Sequence, residues 1–101
     1  MDEQQRVATF IAENDLEAPP AFRLLDLVSE VGELAKDAAE STGYGETPSD
    51  ISVEPDELGD ALFSLLALAN TVEIDASDAL DEAIEKYSHR MQSRDSPSSG
   101  Q

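Results

Sequence analysis

Cysteine and tryptophan are absent from this chain of 101 residues, and histidine occurs once, at His89. Without cysteine there is no disulfide framework and no thiolate metal site, and one histidine cannot build a histidine-rich site. Basic residues are also scarce, since 6 Lys and Arg stand against 23 Asp and Glu, for a net charge of -17. Nucleic acids and anionic membrane surfaces are bound by basic faces, so this balance argues against both as partners.

Long apolar runs are missing as well. The N-terminal segment MDEQQRVATF has neither the basic start nor the apolar centre of a secretion signal, and no apolar run approaches membrane-spanning length. We therefore expect a cytoplasmic protein. So much negative charge destabilises a compact state unless salt screens it, and the screening length at molar ionic strength is roughly 3 Å. Our hypothesis is a halophilic protein, built for a high-salt cytoplasm.

Apolar residues recur with helical spacing, which predicts an all-α fold of four helices. The second and third helices should open at Pro20 and Pro55, because proline suits a first helical turn, and Asp75 should cap the fourth. The predicted helices run from residue 2, with Asp2 as N-cap, to about 15, from 20 to 42, from 55 to about 72, and from 76 to about 91. Residues 44–53 are predicted to be a mobile loop, 1–94 to be one domain, and 95–101 to be a disordered tail.

The third helix is the least polar part of the chain. Residues 61–72 carry no charge, although 29% of the chain is charged. This pattern predicts a helix that is buried nearly all round. The apolar stripes predicted to face inward on the neighbouring helices are Leu24, Leu27, Val28, Val31, Leu34, Ala35 and Ala38 on the second, and Ala76, Leu80, Ala83, Ile84, Tyr87 and Met91 on the fourth. Because a core of this size is marginal, we expect a helical bundle completed by dimerisation.

Two pairs of acids stand at helical spacing beside this core. Glu57 and Asp60 are one turn apart where the charge-free helix begins, and Glu30 and Glu33 repeat the spacing on the second helix. If the two helices pack antiparallel, the four carboxylates can converge. For Glu30 and Glu33, a solvated acidic ridge is the alternative interpretation, because acidic residues flank them on the same side of the helix.

A glycine precedes the second acid of each pair, at Gly32 and Gly59. Glycine inside a helix costs about 1 kcal/mol relative to alanine. Close backbone approach or access for a ligand would explain both glycines.

A set of oxygen ligands without His or Cys favours a hard cation, Mg²⁺ or Mn²⁺, over zinc. Because Mg²⁺ recruits substrate phosphates, the pattern indicates a nucleotide or another polyphosphate as ligand. Lys86 and Arg90, one turn apart on the fourth helix, and Lys36 are candidates for binding its phosphates. The alternative for Lys86 and Arg90 is ordinary helical pairing with Glu82 and Glu85.

At these residues the sequence resembles the MazG-like all-α nucleoside triphosphate pyrophosphohydrolases, over about residues 24–90. SEVGELAKD is similar to the E-E-x-x-E motif of that family, and DELGDALFSLLALAN is similar to its E-x-x-D motif with the following apolar helix. The resemblance implies Mg²⁺ ligands at Glu30, Glu33, Glu57 and Asp60, with Lys86 and Arg90 where the family often keeps phosphate contacts. One position departs from the pattern, because Ser29 stands where a further glutamate is usual, and this puts the efficiency of catalysis in question.

The resemblance implies an enzyme that hydrolyses a nucleoside triphosphate to the monophosphate and pyrophosphate, as a homodimer or a dimer of dimers, with Glu30 or Glu33 accepting a proton from water. Clearance of aberrant nucleotides is the purpose usually suggested for the family. Phe10, Phe22 and Asn70 are weaker candidates for a base pocket, and for the two aromatics core packing is the alternative. Two other functions stay open, a phosphoribosyl-ATP pyrophosphatase-like enzyme and a non-catalytic metal-binding helical interaction module. An acyl-carrier role is disfavoured, because no serine opens a helix in an Asp-Ser-Leu context.

Overall fold

The computed structural model describes residues 2–93, and within them it contains four α-helices and no strand, which confirms the all-α class. The elements are α1 (Asp2–Glu13), α2 (Pro20–Ser41), α3 (Pro55–Thr71) and α4 (Ala76–Gln92), with a 3-10 turn at Pro48–Asp50. None of the helices in this part of the chain is long and apolar enough to cross a membrane. The predicted disordered tail, 95–101, lies outside the described residues.

The helix starts follow the local signals in the sequence. Proline occupies the first turn of α2 and of α3, where a missing backbone N–H costs little. Asp75 caps α4, since its carboxylate accepts a hydrogen bond of 3.0 Å from the backbone N–H of Asp78. At the other end of the chain, α1 already includes Asp2, so Asp2 is not a cap, and α1 ends at Glu13, two residues before the predicted end.

The loop between α2 and α3 is tied to the end of α2. The backbone N–H of Ser52 donates to Ser41 Oγ at 2.9 Å, and that of Gly45 donates to Thr42 Oγ1 at 3.1 Å. Gly43 has φ +59°, which favours glycine at this turn. The loop therefore leaves α2 by a defined route and returns the chain to the start of α3.

Helix α3 lies between α1 and α2 and packs against both. The core consists of Val7 and Ile11 of α1 against Leu66 and Ala67 of α3. Gln4 fastens this contact, because its side chain donates to the carbonyl of Ile74 and accepts from the backbone N–H of the first residue of α4, both at 2.8 Å. The three helices form a layer in which α3 is covered on two sides.

The prediction that α3 is buried nearly all round is therefore wrong for the single chain. Leu58, Leu62 and Leu65 are about half exposed, at 60%, 49% and 48%. Leu62 lines an open groove between α1 and α3, and no helix of residues 2–93 other than α1 and α2 packs extensively on α3. On α2, Val28 and Val31 of the predicted inward stripe are likewise 60% and 50% exposed.

Of the predicted inward stripe of α4, Ala76 packs against the core and Ala83 is partly buried, whereas the large side chains are exposed, because α4 packs extensively on no other helix of the described chain. Leu80, Ile84, Tyr87 and Met91 are all more than half exposed. The radius of gyration is 17.1 Å, whereas a compact chain of this length would have about 13 Å. The open shape leaves apolar faces on α2, α3 and α4 that a second chain can cover.

Candidate active site

Acidic side chains meet along the seam between α2 and α3. The two helices run antiparallel, since Glu57 at the start of α3 lies beside Asp37 late in α2, and Asp60 lies beside the earlier Glu30. The antiparallel packing on which the predicted convergence of acids depends is therefore present. The register of the two helices, however, pairs each acid with one across the seam, whereas the sequence motifs pair acids along the same helix.

The first carboxyl pair is Glu30 with Asp60. Loss of hydration is the largest cause that raises the pKa of Glu30 above its ordinary 4.5, and the negative charges of Asp60 and Glu33 and a hydrogen bond with Asp60 raise it further. These two acids line a polar pocket of about 350 Å³ with Asp26, Ser29, Phe63 and Ser64. Ser29 thus lines the candidate site, and it stands at the sequence position where the motif that this segment resembles usually has a glutamate.

The second carboxyl pair is Glu57 with Asp37. A hydrogen bond between the two side chains, followed by loss of hydration and the charge of Asp37, raises the pKa of Glu57 to about 7. Oε2 of Glu57 and Oδ2 of Asp37 are buried, and neither accepts a hydrogen bond from a described group other than the one that the two acids can share. When both acids are ionised, these oxygens are buried acceptors that lack a positive partner.

Glu33 lies between the two pairs, because its charge raises the pKa of both Glu30 and Glu57. Even so, no three acids or histidines among residues 2–93 converge closely enough to hold one metal ion by themselves. The expected single cluster of four carboxylates is therefore resolved into two pairs with Glu33 between them. Water and ligand oxygens would have to complete the coordination of any cation bound here.

An apolar groove of about 780 Å³ lies between α1 and α3, next to the polar pocket. Phe63 lines both of them. In the groove, Phe63 meets Phe10 edge to face, with ring centroids 5.9 Å apart. A ligand with one anionic and one aromatic end could lie across Phe63.

The three candidates for a base pocket are placed differently. Phe10 lines the apolar groove. Phe22 is 58% exposed and lines neither the groove nor the polar pocket. Asn70 donates from Nδ2 to the carbonyl of Gln4 at 3.2 Å, so it joins α3 to α1 and lies in a separate small pocket.

The candidate phosphate-binding residues lie away from the acids. Lys86 and Arg90 line a shallow pocket on α4 with Glu82 and Glu85. Their cationic groups lie over the ring of Tyr87, at 5.2 and 5.6 Å from its centroid. The lining of the acidic pocket includes neither of them, and Lys36 is exposed on α2.

Sequence reasoning missed two residues, Asp37 and Phe63. Asp37 follows Glu30 and Glu33 at helical spacing, so it lies on the same side of α2, but acids at this spacing recur by composition in so acidic a chain. Asp37 could have been identified only from the register of the two helices, in which the start of α3 lies beside the later part of α2. Phe63 lies in the charge-free helix, where an aromatic residue is expected to pack in a core.

The two helical glycines have open space beside them. A Cβ added at Gly32 or at Gly59 would have no atom within 4 Å. Close backbone approach within the chain therefore does not explain either glycine, and access for a ligand or for a second chain remains as the explanation.

The fold and site define an all-α protein whose antiparallel helix pair presents paired carboxylates beside an apolar groove. The MazG nucleotide pyrophosphohydrolase domain matches residues 20–94, and the chain belongs to this family. The uncharacterized protein YpjD of Bacillus subtilis (strain 168) is 36% identical over 80 residues, which are 74% of this chain and 69% of that protein. No solved structure shows a significant match.

Proposed function

We propose that this protein is a Mg²⁺-dependent nucleoside triphosphate pyrophosphohydrolase, which converts an NTP or dNTP and water into the monophosphate and pyrophosphate and so removes aberrant nucleotides. The proposal rests on two carboxyl pairs on the α2–α3 seam, Glu30 with Asp60 and Glu57 with Asp37. Contact within these pairs helps to raise the pKa of Glu30 and of Glu57. Carboxyl groups whose pKa is raised by neighbouring acids can exchange their protons for a cation. Membership of the family supplies the reaction class.

The donor set fits Mg²⁺, with Mn²⁺ as a substitute. All the candidate ligands are carboxylates, namely Glu30, Glu33, Glu57 and Asp60, and the buried Oε2 of Glu57 lacks a hydrogen-bond donor. Mg²⁺ typically binds one or two carboxylates and completes its octahedron with water and substrate phosphates. Two separate carboxyl pairs match this coordination preference better than a site in which the protein supplies every ligand.

Each acid has a task in the proposed reaction. Bound Mg²⁺ would neutralise the triphosphate and lower the pKa of the attacking water. Glu30 or Glu33 accepts the proton of that water. Glu30 is placed for this task because it lines the polar pocket with Asp60.

The substrate lies across Phe63 in this proposal. Its triphosphate follows the acidic seam, and its base occupies the apolar groove against Phe10 and Phe63. The T-shaped contact of these rings leaves their exposed edges and faces free to pack on a base. Phe22 and Asn70 have no part in this arrangement, because they do not line the groove.

The protein acts as a homodimer, or a dimer of dimers, in which α4 serves the site of the other chain. Because α4 does not pack extensively on α2 or α3 of its own chain, Lys86 and Arg90 do not line the acidic pocket. Both cations lie against Tyr87, which belongs to the exposed apolar stripe of α4. Burial of that stripe on a second chain would therefore carry the two cations to the edge of the interface, where they can hold the departing pyrophosphate. Lys36 is a further phosphate contact in the proposal.

The test is pyrophosphate release from a panel of ordinary and modified nucleoside triphosphates in molar KCl with Mg²⁺. We expect monophosphate and pyrophosphate from the wild type, and loss of both with Glu57→Gln or a chelator. Glu40→Gln is the matched control, since it removes one negative charge from an exposed position of α2. If no nucleotide is hydrolysed by a folded dimer with Mg²⁺ or Mn²⁺, the proposal is wrong, and phosphoribosyl-ATP is the next substrate to test.

The contribution of α4 to the other chain has its own test, in which two inactive variants are mixed. Glu57→Gln and Arg90→Ala, refolded together in equal amounts, should recover about a quarter of the wild-type activity, because half of the dimers then contain one intact site. A mixture that stays inactive would show that each site takes Arg90 from its own chain.

A second candidate is a non-catalytic metal-binding interaction module, and Ser29 is the observation that favours it. Ser29 lines the pocket with Glu30 and Asp60, so the departure from the motif falls inside the site. In that case Glu57→Gln would change Mg²⁺-dependent stability or assembly, and the wild type would have no hydrolytic activity to lose. Pyrophosphate release by the wild type therefore separates the two candidates, because only the enzyme has an activity that Glu57→Gln can abolish.

A further inference from the structure

We infer that Arg6 contacts the edge of the nucleotide base and that the site selects 6-oxopurines, the class that contains guanine and hypoxanthine. The inference deepens the proposed function and rests on it, because it needs a base in the apolar groove. Among the described residues that line this groove, Arg6 of α1 is the one cationic side chain. It lies outside both acidic motifs, which belong to α2 and α3.

The two walls of the groove differ in chemistry. The residues of α3 that line it have no polar side-chain atom, and they are Gly59, Leu62, Phe63 and Leu66. Every polar side chain of the lining belongs to α1, namely Glu3, Gln5, Arg6, Thr9 and Glu13. A base that packs on the wall of α3 therefore meets hydrogen-bonding groups only along the edge that it turns toward α1. That edge decides which base is bound.

The side chain of Arg6 has all its donors available. It is exposed, and among residues 2–93 it forms no ion pair and donates no hydrogen bond, although the chain contains 23 acids. The guanidinium group stays charged at every ordinary pH and presents five N–H donors in a planar fork. Two parallel hydrogen bonds from such a fork require two adjacent acceptors on the ligand.

The 6-oxopurines provide this pair of acceptors. Guanine and hypoxanthine have adjacent acceptors at O6 and N7, whereas adenine has an amino donor beside N7. With adenine, that amino group would face the donors of Arg6, and neither would gain a hydrogen bond. Cytosine is the competing base, because its N3 and O2 are also adjacent acceptors. The purine is favoured because its second ring buries more apolar surface against Phe63 and Leu66.

Gln5 is the lining residue that could favour adenine instead, because a glutamine amide can pair with the amino group and N7 of that base. Its Nε2, however, donates to Oγ1 of Thr9 at 3.3 Å, one turn further along α1. This hydrogen bond directs the amide along the helix and occupies one of its donors. Arg6 therefore remains as the residue that recognises the base.

The test is isothermal titration calorimetry of the full chain with IMP, AMP and CMP in molar KCl with Mg²⁺. These monophosphates correspond to the product of the proposed reaction, so binding is measured without hydrolysis. IMP and AMP are the matched pair, because they have the same sugar and phosphate and differ in the purine at position 6. We expect the wild type to bind IMP at least about fivefold more tightly than AMP or CMP.

Two variants assign this preference to the guanidinium group. Arg6→Lys keeps the charge and loses the fork of donors, so the ratio of IMP to AMP affinity should fall to about one. Arg6→Gln should give the same ratio. Both changes are at an exposed position, and helical circular dichroism checks that the fold is kept. If Arg6→Gln instead weakens IMP and AMP by the same factor, Arg6 contacts the phosphate, and the inference is wrong.

The inference is also overturned if the wild type binds none of the three nucleotides, binds AMP or CMP as tightly as IMP, or keeps its preference for IMP without Arg6. If such a protein still releases pyrophosphate from nucleoside triphosphates, the proposed function stands while the inference fails. Conversely, a preference for IMP that depends on Arg6 in a protein without hydrolytic activity supports the inference and contradicts the proposed function.

Discussion

The exposed faces of α2 and α3 give the sharpest quantitative prediction, which concerns Val28→Ala. Val28 lies in the middle of the apolar stripe of α2 and is 60% exposed in the single chain. The substitution removes two methyl groups and does not change the charge. Alanine also has a high helix propensity, so α2 should still form. If this face is buried in a dimer, the methyl groups contribute to association and little to the fold of one chain.

The magnitude follows from the exposed fraction. Two carbons at about 0.8 kcal/mol each, of which 60% is still to be buried, are worth about 1 kcal/mol per chain. A symmetric dimer contains the residue twice, so the loss is about 2 kcal/mol, or about a 30-fold higher dissociation constant of the dimer.

Sedimentation velocity over a concentration series in molar KCl measures this constant, with a protomer mass of 10.9 kDa. Ile51→Ala is the matched control, because Ile51 is 57% exposed but lies in the loop before α3, outside the helical faces. A wild type that stays monomeric at all concentrations would refute the reasoning. So would a Val28→Ala dimer as tight as the wild type while Ile51→Ala weakens it, because the interface would then lie elsewhere.

Three further predictions follow from single groups. In chelator, protonated Glu57 should stabilise the fold fully below its ordinary pKa of 4.5, because the folded chain binds the proton of this carboxyl more tightly than the unfolded chain does. This contribution should be lost as the pH rises through about 7. Melting temperatures measured over a series of pH values should therefore vary less with pH for Glu57→Gln than for the wild type. Gly59→Ala should raise the unfolding free energy by up to about 1 kcal/mol, since the added methyl meets no atom, and should raise KM because Gly59 lines the groove; an unchanged KM would argue against the base lying there. Gln4→Ala should lower the unfolding free energy in urea by roughly 1 to 3 kcal/mol, because the carbonyl of Ile74 and the N–H of Ala76 lose their partner, and a smaller loss would mean that water replaces it.

The helix boundaries could be predicted because their causes are local. Pro20 and Pro55 each open a helix, and Asp75 caps one, through contacts within one turn of the chain. Such signals need no knowledge of what packs against the helix. The prediction missed at Asp2, where the cap depends on a single acid at the start of the chain and α1 simply includes it.

The candidate site could be predicted only in part. A sequence motif shows which residues are neighbours on the same helix, and it does not show which residues of the facing helix they contact. Glu30 and Asp60 are brought together, as the antiparallel arrangement required. Glu57 instead meets Asp37, and only the register of α2 against α3 decides that. In a chain with 23 acids, spacing alone cannot separate a buried carboxylate from the many that coat its surface.

The apolar stripes show a limit of another kind. Helical periodicity reports that a face is buried, and it carries no information about which chain buries it. Leu62 of α3 and Ile84 of α4 have the pattern of core residues and are 49% and 53% exposed in the single chain. An extended α4 that presents an apolar stripe, with Lys86 and Arg90 held against Tyr87 at its edge, is costly for a soluble monomer and useful in a dimer. Burial of this stripe in a dimer would then also bring Lys86 and Arg90 of one chain to the acids of the other chain. Assembly and activity should therefore be lost together at low salt, because the 17 net negative charges of each chain repel most strongly there.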